Sequence, residues 1–233
     1  MTPMLGNTIE ESLKIKNLNL RRKKIQYLML IFLFVFVDGG WHYPLIGIFI
    51  PLFFILMLLI AFYKGRVSCG WFCPRGSLFE IIIKKISLNH ERPKIFKDIR
   101  YRRLFFLIFS CLFLFFYLAT TFDQISLIKT GRVFVYYYVT VTTLGIILGI
   151  LFGERTFCLI CLEGTILSWF SEGKVVMEVK ENCIKCGNCQ KVCSLSLCIG
   201  DLVGKVERTV RNKDCLKCYQ CLDSCPMHAL RFK

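Results

Sequence analysis

No GxGxxG turn, phosphate loop or hydrolase triad occurs in the 233 residues, which removes the dinucleotide-binding, nucleoside-triphosphate-binding and serine-hydrolase classes. Histidine is scarce, with three residues; His90 and His228 stand in no ligand spacing and read as surface positions. Charged residues make up 20% of the chain, less than the roughly 25% of a soluble domain. None lies near the centre of a long apolar stretch, which argues against a transporter. Acidic residues are few, 16 against 31 basic, giving a formal charge of +15. The basic excess flanks apolar stretches instead of forming a domain of its own, so it points to membrane topology and not to nucleic-acid binding. A cleavable secretory signal is missing as well. Residues 1–20 are polar and mixed in charge, and the first apolar run begins only after Arg21, Arg22, Lys23 and Lys24, so that run is expected to stay as an anchor.

Apolar residues, by contrast, make up 55% of the chain and gather into stretches at 25–41, 45–63, 104–122 and 134–152. Each approaches the roughly 20 residues an α-helix needs to cross a hydrocarbon core. The first is the shortest and ends in Asp38-Gly39-Gly40; its basic flank and the nearby second stretch make the two a spanning hairpin. Between the second and third stretches lie eleven Lys and Arg, against none at 38–44 and only Lys129 and Arg132 at 120–133. That asymmetry places both termini and the central loop on the cytoplasmic side of a cytoplasmic (inner) membrane. In the outer connection Asp38, Trp41 and His42 cluster. They form either a quinone-binding group, with His42 able to take a proton near neutral pH, or an interfacial Trp41 anchor with solvated neighbours. Within the central loop, Ser77 and Glu80 have capping-box spacing, and Phe79, Ile82, Ile83 and Ile86 recur opposite Lys84 and Lys85. A short amphipathic helix is expected there, lying on the membrane surface or packed against the protein.

Fourteen cysteines call for either disulfides or metal. All but Cys111 fall on the side predicted to be cytoplasmic, where thiols stay reduced, so metal ligation is the better reading. Cys111, inside the third stretch, reads as a small apolar packing residue. Cys183, Cys186, Cys189 and Cys193 follow C-x2-C-x2-C-x3-C, and Cys215, Cys218, Cys221 and Cys225 repeat it, closing with Pro226. In such runs three cysteines hold one 4Fe-4S cluster and the fourth ligates the other. One cluster is thus assigned to Cys183, Cys186, Cys189 and Cys225, and the second to Cys215, Cys218, Cys221 and Cys193. Zinc would need only four ligands in two pairs. Ser194 stands where the second run has proline, and Cys198 is left over as a buried or neighbouring thiol. The β-branched segment 175–179 and the closing 229–232 are expected to pair as terminal strands.

An internal repeat links the two halves of the apolar part. GRVSCGWFCPRGSLFE follows the second stretch and GERTFCLICLEGTILSW follows the fourth; aligning Cys73 with Cys161 also matches Gly65 with Gly153, Gly76 with Gly164 and Ser77 with Thr165. A pseudo-twofold packing of two helical hairpins would bring Cys69, Cys73, Cys158 and Cys161 to one point. There they would form a third iron-sulfur centre, the alternative being two independent redox-active thiol pairs.

The last sixty residues resemble a bacterial-type two-cluster ferredoxin. The whole chain resembles the NapH-type membrane quinol dehydrogenase subunits and membrane polyferredoxins, with Cys69, Cys73 and Pro74 matching their C-x3-C-P motif. The second copy departs from it, since Cys158 and Cys161 are separated by two residues and Leu162 replaces the proline. The resemblance implies an α-helical membrane protein of four transmembrane helices, arranged as two hairpin repeats, with a C-terminal α+β ferredoxin-like domain. Residues 1–24 would form a cytoplasmic tail, 25–174 the membrane domain and 175–233 the ferredoxin domain. It further implies electron relay between the quinone pool and a partner redox protein such as a cytochrome or iron-sulfur subunit. The alternative is an accessory role in assembly or metal reduction for a respiratory metalloenzyme.

Overall fold

The computed structural model describes residues 3–88, 90, 92–96, 98–121, 126–197 and 209–232; Phe122 and Cys198 lie outside them. Among the described residues four helices are long and apolar enough to cross a membrane: Ser12–His42, Pro44–Lys64, Arg100–Thr120 and Leu127–Phe152. Lipid offers the backbone no hydrogen-bond partner, so such sequence folds into helices that close their own bonds. Their outer faces carry exposed apolar side chains, Ile31, Leu52, Leu56, Leu59 and Phe115 among them. Cys111 is also exposed. It faces outward from its helix and does not pack inside the bundle as expected.

The first helix starts earlier than the apolar stretch does. It runs from Pro3 to Phe34 and continues through a π-helical turn at Val35–Gly39 and a last turn at Gly40–His42. Residues ahead of position 25 therefore extend the spanning helix. They carry Ile15 into an apolar cluster with Met177, Val179, Leu222 and Leu230, and they bury Arg22 and Gln26.

Burial is inverted relative to a soluble protein. The main core lies where the cysteine motifs leave the bundle, around Leu78, Phe79, Ile83, Phe157, Leu159 and Ile160. Two arginines, Arg66 and Arg155, are fully buried inside it. The repeat seen in the sequence has a local structural counterpart. The second spanning helix stops at Gly65 with φ +71°, and a short helix Val67–Trp71 leads to Cys73, which begins Pro74–Leu78. The fourth stops at Gly153 with φ +113°, and Phe157–Ile160 leads to Cys161, which begins Leu162–Phe170. At both starts the same bond forms: Ser77 N–H donates to the Cys73 carbonyl at 2.9 Å and Thr165 N–H to the Cys161 carbonyl at 2.8 Å.

The capping box expected from Ser77 and Glu80 does not form. The cap is Cys73, whose Sγ accepts from the Gly76 N–H at 3.4 Å, while the Ser77 hydroxyl donates to the Cys73 carbonyl at 3.1 Å. Glu80 turns instead to buried arginines. Residues 74–79 are buried, so this helix packs in the core, and the membrane-surface alternative is set aside.

Beyond Val175 the chain makes a small antiparallel sheet of β1 (Val176–Val179), β2 (Thr209–Arg211) and β3 (Leu230–Phe232) in the order β2-β1-β3. Met177 stands opposite Phe232 on one side and Val210 on the other. The expected terminal strands pair as β1 with β3; β2 is an edge strand that the sequence pattern did not reveal.

Candidate electron-transfer site

The two cysteine runs fold alike, one 32 positions after the other. Lys185 and Lys217 have φ +54° and +46°, Gly187 and Tyr219 +75° and +61°, Ser196 and His228 +49° and +45°. Positive φ at equivalent positions bends the two runs in the same way. Short helices Asn188–Lys191 and Gln220–Asp223 follow at equivalent places.

Cys183, Cys186, Cys189 and Cys225 line one cavity of about 80 Å³, together with Gly187 and Leu230. The fourth cysteine of the second run thus stands with the first three of the first. Cys215, Cys218 and Cys221 lie within electrostatic range of Cys193, the reciprocal grouping. Burial pushes the Cys215 thiol up to about 12 and raises Cys189, Cys218 and Cys221. As free thiols these groups are neutral, and metal uptake must release their protons. The serine that replaces proline is clamped: Arg92 donates to the Ser194 carbonyl at 2.7 Å and to the Ser196 hydroxyl at 3.1 Å.

At the other cysteine motifs Cys69, Cys158 and Cys161 are buried and Cys73 half-buried, and Cys158 lies within electrostatic range of the other three. Around them runs a network of guanidinium and carboxylate groups. Arg155 donates to the Cys69 carbonyl at 3.1 Å and lies 3.9 Å from the Cys158 sulfur; Arg66 reaches the Cys158 carbonyl in return. Each arginine crosses to the other repeat. Arg155 is bound by Glu80 at 2.7 Å, which also holds Arg22, and Arg66 by Asp214 at 2.7 Å, which also holds Arg102 at 2.7 Å. A third pair, Arg75 with Glu163, joins equivalent positions of the two repeats across the site. Burial alone would raise the Glu80 carboxyl, but Arg155 and Arg22 outweigh it and hold it at about 2.

The crossing requires glycine. A Cβ at Gly76 would stand 2.7 Å from Arg155 Nη1 and 3.0 Å from the Cys69 carbonyl oxygen. At Gly164 it would stand 2.5 Å from Arg66 Nη2 and 3.0 Å from the Cys158 carbonyl oxygen. Sequence reasoning matched these glycines but missed Arg66 and Arg155. Their signal was R-x2-C, present in Arg66-Val-Ser-Cys69 and Arg155-Thr-Phe-Cys158.

The network bears on what the four thiols hold. Among the described residues these ion pairs set five buried guanidinium groups against three carboxylates, an excess of two positive charges within the pairs that is costly in a protein interior. Neutral thiols do nothing to offset them. Buried Arg155 Nε, Ser68 Oγ and Thr165 Oγ1 also lack a hydrogen-bond partner among the described residues. Surplus positive charge and spare donors fit an anionic, acceptor-rich group. No three His, Cys, Asp or Glu among the described residues are set for a single metal ion.

A family model described as a 4Fe-4S binding domain matches residues 46–93, and one described as a 4Fe-4S dicluster domain matches 182–230. The chain is 28% identical over 191 residues to the uncharacterized protein MJ0750 of Methanocaldococcus jannaschii, covering 76% of each. A second protein of that organism, the uncharacterized MJ0749, is 25% identical over 184 residues, 76% of this chain and 68% of its own length. The "Putative electron transport protein YccM" of Escherichia coli K12 is 24% identical over 197 residues, 76% of this chain but 53% of its own length. These findings support an iron-sulfur electron-transfer protein. No solved structure matches the chain.

Proposed function

We propose that this iron-sulfur protein relays electrons between the membrane quinone pool and a partner redox protein, in the manner of the NapH-type subunits it resembles, at the cytoplasmic face of the inner membrane. The observation that carries this reading is the position of the cysteine quartet. It sits between the spanning helices and the two-cluster module, and the two parts are joined there by Arg66 with Asp214, which precedes Cys215 in the chain, and by Trp71 Nε1 donating to the Lys217 carbonyl at 3.1 Å.

Two 4Fe-4S clusters are held in this reading by Cys183, Cys186, Cys189 and Cys225 and by Cys215, Cys218, Cys221 and Cys193. Cys69, Cys73, Cys158 and Cys161 hold a third. The domain model matched at 46–93 contains only Cys69 and Cys73; the second repeat supplies the thiols needed to make four. A 4Fe-4S core of charge two plus, held by four thiolates, bears two negative charges, which balance the excess of two positive charges within the ion pairs. When bound, the clusters supply one-electron transfer. The protein holds them in place, sets the charge around them and keeps water from the quartet.

The test is anaerobic titration of the full-length, cluster-loaded protein with a quinol analogue, followed by EPR. Appearance of reduced-cluster EPR signals on adding the quinol, or their loss from the dithionite-reduced protein on adding the quinone, is expected. Clusters that exchange electrons with neither, while dithionite reduces them, would contradict the reading.

A further inference from the structure

A cleft of about 630 Å³ opens where the second spanning helix meets the two-cluster module. One wall is the end of that helix, Ile60, Tyr63 and Lys64; the opposite wall is Lys217 and Tyr219; Trp71 and Phe72 close it. Its size falls in the roughly 300–1,000 Å³ range of small-molecule pockets. Three features narrow the occupant. Ile60 and Tyr63 lie on the last turns of a membrane-crossing helix and Tyr63 is 78% exposed, so the mouth opens at the depth where lipid gives way to water. Trp71 and Tyr219 meet edge to face at 6.3 Å between centroids and give the cleft aromatic walls; Lys64 and Lys217 also line it, the Lys217 ammonium resting 5.7 Å from the centroid of the Phe232 ring. The walls are also the backbone of two cysteine motifs: Trp71 and Phe72 lie between Cys69 and Cys73, while Lys217 and Tyr219 flank Cys218.

We propose that this cleft binds the ring of a membrane quinone, with its carbonyl oxygens toward Lys64 and Lys217 and its isoprenoid tail leaving past Ile60 into the bilayer. The inference rests on the electron-relay reading above and adds the place where the quinone meets the protein. A flat, apolar ring with two acceptor oxygens uses both aromatic walls and both cations, and its tail needs an exit into lipid. An anionic phospholipid headgroup would use the lysines but gain little from the aromatic walls. The outer connection, where Asp38, Trp41 and His42 lie, is a poorer site. The 21-residue helix Pro44–Lys64 sets it about 30 Å from the cysteine motifs at 1.5 Å per residue.

The experiment uses the full-length, cluster-loaded protein in nanodiscs and an azido-substituted short-chain quinone as photolabel. Label is expected in residues 60–72 and 215–219, displaced by excess unlabelled quinone and not by phosphatidylglycerol vesicles. Tyr63→Ala and Lys64→Met, both at exposed positions, should each weaken labelling about tenfold with iron content unchanged; Trp71→Ala should abolish it. Label confined to residues 38–44, or displaced by the anionic lipid, would overturn the cleft while leaving the relay standing. Clusters that exchange electrons with neither quinol nor quinone, while dithionite reduces them, would overturn the relay, and the cleft with it.

Discussion

Arg155 donates to the carbonyl oxygen of Cys69 at 3.1 Å from the far side of the repeat, and Arg66 makes the mirror contact to Cys158. A guanidinium with its charge buried is tolerable only when carboxylates and carbonyls surround it. The repeats supply the carbonyls for each other, while the carboxylates come from Glu80 of the first repeat and from Asp214 beside Cys215.

The network should be costly to break at its centre and cheap to break at its rim. Glu80→Gln leaves Arg22 and Arg155 without their shared carboxylate and should destabilise the protein by about 3 kcal/mol. Lys84→Met removes the half-exposed partner of Glu154, 3.7 Å away, and should cost less than about 1 kcal/mol. Denaturant unfolding of both variants in one detergent measures the difference; equal losses would mean that the buried network contributes no more than a surface pair.

Acid should act on the same carboxylate. Its pKa is held at about 2 in the folded protein against an ordinary 4.5. Glu80 therefore contributes stability that is fully present above about pH 4.5 and is lost as pH falls toward 2. The Glu80→Gln variant lacks a titrating group there. Its stability should fall less steeply than the wild type's between pH 4.5 and 2, as thermal unfolding across that window would show.

Gly76→Ala and Gly164→Ala should have matching effects, because each adds a methyl against the arginine of the other repeat. Both are expected to remove iron from the quartet and leave the module's clusters in place, read as a loss of about four irons per chain. A large loss from one variant and none from the other would rule out the reciprocal arrangement.

Gly187 and Tyr219 occupy the same left-handed position in the two cysteine runs. No atom lies within 4 Å of a Cβ built at Gly187, so Gly187→Ala should cost only the backbone term, about 1–2 kcal/mol. Tyr219→Gly would relieve that term but lose the ring contacts with Trp71 and with Phe232 at 5.2 Å, and should be more destabilising. Unfolding of the two cluster-loaded variants decides the order.

Much of this was legible in the chain itself. Long apolar stretches mark the four helices because lipid leaves a chain no other backbone solution, and the spacing of Cys183 through Cys225 carries the two cluster motifs. Arg66 and Arg155 were hidden for a physical reason. Arginine near a spanning helix ordinarily marks topology, and aligning the repeats on Cys73 and Cys161 sets Arg66 against Glu154 instead of Arg155. The extra Glu154 before the second pair is balanced by one fewer residue within it, so the correspondence emerges only when the arginines are seen crossing. Glu80 read as a helix cap from spacing alone, which carries no information about the arginines that the fold brings to it.

Iron counted per chain in the anaerobically prepared, full-length protein tests the third centre most directly. The account predicts about twelve irons, four for each of three clusters, falling to about eight in Cys73→Ser and in Cys161→Ser; about eight in the wild type, unchanged in both variants, would contradict it.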